Sequence, residues 1–219
     1  MKLVIGNQNY SSWSLRPWLL LRHFDIDFDE IKISLAPANL REILGEFSPS
    51  CKVPVLIDGD IHVWDTLAIC EYVNDRYLNG KAWPEGVEER ALARSVVCEM
   101  HSGFSALRSE LPMNCRAFRK VILSDEAVRD IARVDQLWSQ ADSVDAKNRG
   151  SWLFGRFGVA DCFYAPVAFR FKVYGIELSE NARAYSELLL NHPAMQDWLT
   201  AARAETEILQ EEEVGEELI

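Results

Sequence analysis

The run KVPVLIDGDIHVWDTLAI, residues 52–69, reads as two short strands, a tight turn and the opening of a helix. Residues 53–57 and 61–63 are rich in β-branched side chains. They flank Asp58-Gly59-Asp60, whose glycine can take the backbone angles a hairpin turn requires. Pro54 falls at the entry of the first strand, where a missing N–H is tolerated. Leu67, Cys70, Val73 and Tyr77 then recur at helical spacing, so residues 66–78 form a helix that leaves the hairpin directly.

Toward the N-terminus the pattern is strand, helix, strand. Residues 2–6 (KLVIG) are a short apolar strand ended by a breaker, and residues 7–12 are a polar loop. Residues 14–24 (SLRPWLLLRHF) form a helix with Ser14 as a candidate N-cap and Pro17 in the first turn. Residues 30–35 alternate as a second strand, and residues 40–47 form a short amphipathic helix closed by Ser48-Pro49-Ser50. The order βαβ-α-ββα joins a parallel crossover to an antiparallel hairpin. It predicts a small α/β domain over residues 1–79 with a mixed four-stranded sheet.

Toward the C-terminus the strand signals stop. Residues 79–87 (NGKAWPEGV) carry two glycines and a proline and read as a linker, so a second, all-helical domain is expected over 88–219. Leu92, Val96, Met100, Phe104, Leu107 and Leu111 share one face of a single long helix. Ser124-Asp125-Glu126 opens another, with Val128, Ile131, Val134 and Trp138 inward. Further helices start near Gly158 and His192, and the acidic residues 211–217 read as a frayed tail.

A chain of 219 residues with net charge −11 opposes binding to nucleic acid or to anionic membranes. The five cysteines are scattered, without CxxC pairs or zinc-like spacing, so no metal centre is expected and reduced thiols are. Met1 leads straight into a strand, and no apolar run reaches membrane-spanning length. The expectation is a cytoplasmic protein.

Three junctions in the first half carry chemistry. Ser11 and Ser12 sit at the start of the first helix, where orphan N–H groups and the helix dipole favour an anion. A serine hydroxyl there can donate to a ligand thiolate and lower its pKa; the same serines can equally cap the helix. A cis Val53-Pro54 bond would turn the backbone of Val53 outward, where an extended peptide can pair with it. Asp65 and Thr66 open the helix after the hairpin. Asp65 can accept from a ligand ammonium and Thr66 can hold a carboxylate, or both can cap.

Together these segments resemble the cytosolic glutathione S-transferase superfamily, in its serine-type, zeta-like bacterial branch. Residues 11–21 (SSWSLRPWLLL) are similar to the zeta-class SSCxWRVRxAL segment, and residues 52–56 (KVPVL) to its xVPxL loop. Residues 64–69 (WDTLAI) are similar to the (Q/E)SxAI segment. Phe157-Gly158-Val159-Ala160-Asp161 resembles the family's N-capping box and hydrophobic staple, with Asp161 at N3 and Gly158 in place of the usual Ser or Thr. Trp13 stands where the zeta pattern has cysteine.

The resemblance implies a thioredoxin-like first domain and a helical second domain, glutathione as cosubstrate and a homodimer. It implies that Ser11, with Ser12 assisting and Tyr10 as a weaker rival, faces the thiol. Val53, just before Pro54, would hold the peptide, Asp65 and Thr66 its γ-glutamyl end, and Lys52 its glycyl carboxylate. The expected activity is conjugation or isomerisation of a small electrophile; a non-catalytic binding or assembly module is the alternative. Met100, Phe104 and Leu107 are expected to offer an apolar wall to an apolar electrophile; Arg108, Arg116, Arg119, Arg170 and Lys172 could meet an acidic second substrate but read rather as solvated surface charge.

Overall fold

The computed structural model describes residues 1–139 and 151–218. The first half contains β1 (Lys2–Ile5), α1 (Ser12–His23), β2 (Asp29–Lys32), α2 (Leu40–Gly45), β3 (Val55–Asp58), β4 (Ile61–Trp64) and α3 (Thr66–Tyr77). The sheet order is β2-β1-β3-β4, with β1 parallel to β2 and antiparallel to β3, and β3 antiparallel to β4. This is the expected thioredoxin-like arrangement. β1 lies centrally because Leu3, Val4 and Ile5 are all fully buried, which an edge strand of four residues would not achieve. The Val53-Pro54 peptide bond is cis, as expected.

The second half is helical: α4 (Val87–Ser102), α5 (Ser105–Glu110), α6 (Asp125–Ser139), α7 (Val159–Val173), α8 (Glu180–Leu190) and α9 (Pro193–Ala204). Helix α7 is buried on every side apart from Lys172, and it packs against α1, α4 and α8. A helix apolar all round belongs at the centre of a protein. One continuous apolar core runs from the sheet through α1 into α7 and α9.

Several expectations need correction. Helix α1 starts two residues earlier than expected, with Ser11 rather than Ser14 as N-cap. The single long helix after the linker is two helices. It breaks at Gly103 and Phe104; Phe104 adopts a left-handed φ of 54°, and a Cβ at Gly103 would lie 2.6 Å from the Glu99 carbonyl oxygen. Leu92 and Val128 point to solvent rather than inward. Helix α8 was not anticipated at all.

The helical half is also not free of strands. A two-residue strand β5 (Arg119–Lys120) pairs antiparallel with β6 (Glu216–Glu217). The acidic tail is therefore docked rather than frayed: Leu209 is buried, Gln210–Glu212 form a 3-10 turn, and Glu213 binds Arg119.

The start of α7 explains its glycine. The Val159 N–H donates to the Ala82 carbonyl at 3.1 Å, so the linker packs onto the helix end. A Cβ at Gly158 would lie 2.5 Å from that same oxygen. Only half of a reciprocal capping box remains: Asp161 Oδ2 accepts from the Gly158 N–H at 2.8 Å. Asp161 Oδ1 also accepts from the Leu153 N–H and from the Tyr185 hydroxyl.

Burial raises the Asp161 carboxyl from 3.8 to about 6 in spite of these donors. A folded pKa above the unfolded one favours the fold below about pH 4, and that contribution is lost as pH rises through about 6. The stability of the parent relative to Asp161→Asn should therefore fall on the order of 3 kcal/mol between about pH 4 and pH 7. Urea midpoints at the two pH values measure it. A gap that stays constant or widens would mean the carboxyl is ionised throughout.

Candidate active site

The loop between β1 and α1 is held from many directions. Ser14 Oγ accepts from the Gly6 N–H at 3.1 Å and from the Ser11 hydroxyl at 2.7 Å, while Ser11 Oγ accepts from the Ser14 N–H at 3.4 Å. Glu205 accepts from the Gln8 and Asn9 N–H groups at 2.8 and 3.0 Å. The Asn9 side chain donates to Asn114 at 2.8 Å and accepts from the Arg116 N–H at 3.1 Å. The Trp198 indole donates to the Gln8 carbonyl at 2.8 Å. The Asn7 amide donates to Glu207. Apart from Ser14 of α1, every one of these partners outside the loop belongs to the helical half or the tail.

Ser11 and Ser12 emerge from this loop into a cavity of about 600 Å³ between the two halves. Trp13, Lys52 and Val53 line it from the sheet side, with Cys51 and Leu35 beside them. From the helical side come Ser105, Arg108 and Ser109 of α5, Arg170 of α7, and Glu212 of the tail. Met100, Phe104 and Leu107 do not reach it: all three are buried in the core, so the expected apolar wall is absent. The facing wall is polar and cationic instead.

Arg170 is 6% exposed and donates to Ser12 Oγ at 3.1 Å, to the Arg108 carbonyl at 2.9 Å and to the Leu111 carbonyl. Burial lowers its pKa to about 10, which leaves it charged at neutral pH. Arg16, 2% exposed, lies 4.2 Å from the Trp13 ring centroid and 4.7 Å from that of Phe163. Its Nε and Nη1 have no hydrogen-bond partner among the described residues. Burial and the neighbouring Arg108 and Arg170 charges lower it to about 9. Arg108 also lies against Trp13, 4.7 Å from the centroid.

The structure thus brings Ser11, Ser12, Lys52 and Val53 together. Pro54 lies buried behind Val53. Asp65 and Thr66 do not border the cavity. Asp65 caps α3 through the Leu67 and Ala68 N–H groups and faces His101 Nε2 at 3.3 Å. Thr66 donates to the Trp13 carbonyl at 3.2 Å. Tyr10 lines the cavity, but its hydroxyl donates to Glu213 and accepts from Arg116, and burial raises its pKa. The sequence reading treated Arg108 and Arg170 as solvated charge. The signal against this for Arg170 was its place within the apolar run of α7.

Two family models match this chain: the N-terminal domain of glutathione S-transferase over residues 10–76 and its C-terminal domain over residues 99–201. The chain belongs to the glutathione S-transferase family. Glutathione S-transferase 1 of Dianthus caryophyllus is 24% identical over 183 residues, covering 82% of this chain and 81% of that protein. The dichloromethane dehalogenase of Methylorubrum extorquens is 34% identical over 70 residues, covering 31% of this chain but only 24% of the dehalogenase. A sphingomonad glutathione S-transferase solved with glutathione is 25% identical, with a TM-score of 0.67 over 94% of this chain and 100% of that one. In this glutathione S-transferase no helix among the described residues is long and apolar enough to cross a membrane. No group of three His, Cys, Asp or Glu among them could hold a metal ion.

Glu205 is the strongest single hold on the serine loop, because two backbone donors point at one carboxylate. Its ion pair with the half-exposed Lys32 adds little. Glu205→Ala should cost about 2–4 kcal/mol and speed amide exchange at Gln8 and Asn9. Glu205→Gln should recover part, since the amide oxygen can still accept. Exchange unchanged in the alanine variant would show that the other contacts suffice.

Proposed function

We propose that the cavity binds glutathione and that a serine hydroxyl activates its thiol for conjugation to, or isomerisation of, a small electrophile. The observation that carries this is Ser12: its oxygen accepts from the buried Arg170 guanidinium while it faces the cavity at the start of α1. A guanidinium on the oxygen makes the hydroxyl a stronger donor. The helix N-terminus adds positive potential at the same point. Both effects favour a thiolate over a thiol.

The resemblance favours Ser11 as that donor. The hydrogen bonds favour Ser12, because the Ser11 hydroxyl is engaged with Ser14 and serves as the N-cap. Tyr10 is the weakest candidate, its proton being committed to Glu213. When bound, glutathione supplies the nucleophilic sulfur. Val53, just before the cis Pro54, would hold its backbone, and Lys52 its glycyl carboxylate. Asp65 and Thr66 are proposed for the γ-glutamyl end, reached past the Trp13 ring. The sphingomonad relative solved with glutathione supports this choice of ligand. The zeta-like, serine-type assignment rests on residues 11–21; Trp13, held against two arginines where that pattern has cysteine, favours conjugation over zeta-type isomerisation.

A homodimer is proposed as well. Ile61 and Trp64 are exposed on the edge strand β4, and Tyr77 of α3 and Leu92 of α4 are exposed too. Sedimentation at micromolar concentration should give a dimer, and a 25.0 kDa species would refute it.

Turnover of an activated aryl chloride with glutathione tests the mechanism. A charge-assisted hydrogen bond of about 1.5–3 kcal/mol corresponds to roughly one to two units of thiol pKa. Ser12→Ala should therefore slow the reaction at pH 7 about ten- to a hundredfold, with recovery as rising pH ionises the thiol unaided. Ser11→Ala should lose about 0.5–2 kcal/mol of stability as a cap and keep the parent's pH profile. The reverse pattern would make Ser11 the donor. Retention on immobilised glutathione with no turnover would favour a binding module.

A further inference from the structure

Arg108 is, among the described residues, a cation of the cavity wall with no carboxylate partner. It stands on α5, half-buried, with its guanidinium against Trp13. Among the described residues the guanidinium's hydrogen bonds run from Nη1 to the carbonyls of His101 and Gly103, both at 3.5 Å, the outer limit of such a bond. No carboxylate among the described residues lies within ion-pair distance. Three other arginines have close partners: Arg133 binds Glu99 at 2.7 and 3.1 Å, Arg119 binds Glu213, and Arg170 is held by Ser12 and two carbonyls.

The surroundings make this gap costly. Arg16, close behind the same tryptophan ring, also lacks partners for two of its nitrogens. Two guanidinium groups therefore share one indole with no acid between them. The chain carries 34 acidic against 23 basic side chains, yet no carboxylate among the described residues is placed against Arg108. Burial lowers the Arg108 pKa, and no acidic neighbour counters the shift. A half-buried cation that opens on a cavity and lacks an internal anion is completed by an anion from outside.

We infer that Arg108 anchors a carboxylate of the second substrate, so that the electrophile is an acid rather than a neutral apolar molecule. The inference rests on the glutathione reading above and assigns the other half of that site. Arg108 lies across the cavity from Lys52 and Val53, the side proposed for the peptide. Ser105 and Ser109, one helical turn apart on α5, border the same wall and supply further polar groups. A single planar guanidinium at the cavity surface matches one planar carboxylate. Glu212, which also lines the cavity, disfavours a more highly charged ligand.

A matched pair of probes tests this: a chlorodinitrobenzoate and its neutral carboxamide. In both, the carbon–sulfur bond to glutathione forms as the carbon–chlorine bond breaks and chloride leaves with the electron pair. After correction for the uncatalysed rates, kcat/KM should favour the acid by about ten- to a hundredfold, the span of a charge-assisted bond. The glutathione conjugate of the acid should bind more tightly than that of the amide by a similar factor, a reading that needs no turnover. Arg108→Gln should collapse both ratios toward one, and Arg108→Lys should keep part of each. Circular dichroism and the lysine variant separate this from misfolding.

Turnover of both probes with no preference for the acid, in rate or in binding, would overturn the inference and leave the glutathione reading standing. Preferential binding of the acid conjugate through Arg108, without turnover of either probe, would uphold the inference while the catalytic reading fails. If Arg108→Gln weakened glutathione itself as much as the acid conjugate, the anion would be glutathione's own carboxylate and the inference would be wrong.

Discussion

Helix α1 has almost no free surface, and the rest of the molecule is arranged around that fact. It packs on α3 within its own half and on α7 and α9 of the other, so one helix belongs to two cores at once. Leu15, Leu19, Leu20 and Leu21 are fully buried, and Trp18 meets Trp198 edge to face with ring centroids 5.0 Å apart. A helix gripped on this many sides cannot rotate or slide without opening both cores. The direction of the Ser11 and Ser12 hydroxyls is therefore a property of the whole fold rather than of a loop.

Charge is distributed with the same economy. The negative surplus of the chain is concentrated where backbone donors and arginines need it. Glu205 and Glu207 satisfy the loop before α1, and Glu213 joins Arg116, Arg119 and Tyr10. The cavity is the exception. There the positive groups outnumber the acids: Lys52, Arg108 and Arg170 face Glu212 alone. An anionic ligand thus meets a locally favourable field inside a molecule whose distant field repels it, and salt screens the repulsion more than the short contacts.

What was legible in the sequence was local. The Asp58-Gly59-Asp60 turn, the alternation around it and the run of leucines in α1 depend on neighbours a few positions apart, and each element is present, with its ends moved by one or two residues. Ser11 and Ser12 were singled out because a helix start exposes orphan backbone groups, Val53 because it precedes a candidate cis proline, and Lys52 through the resemblance. The break at Gly103 was legible but missed: a glycine is a helix-end signal, and its N–H closes α4 on the Glu99 carbonyl four positions earlier. Arg170 looked like ordinary surface charge, since its partners are carbonyls and a hydroxyl distant in sequence. The acidic tail looked frayed for the same reason.

The docking of that tail bears on how the protein is made. Gln8 and Glu205 are separated by 197 positions, and Tyr10 and Glu213 by 203. A ribosome releases the N-terminal half long before the residues that close its serine loop have been assembled, and the domain waits with those amides hydrated. Contacts of such sequence separation form late in folding as well as late in synthesis. The last segment to emerge thus completes the first, and a nascent chain halted short of Glu205 would hold a finished sheet beside an unfinished serine loop.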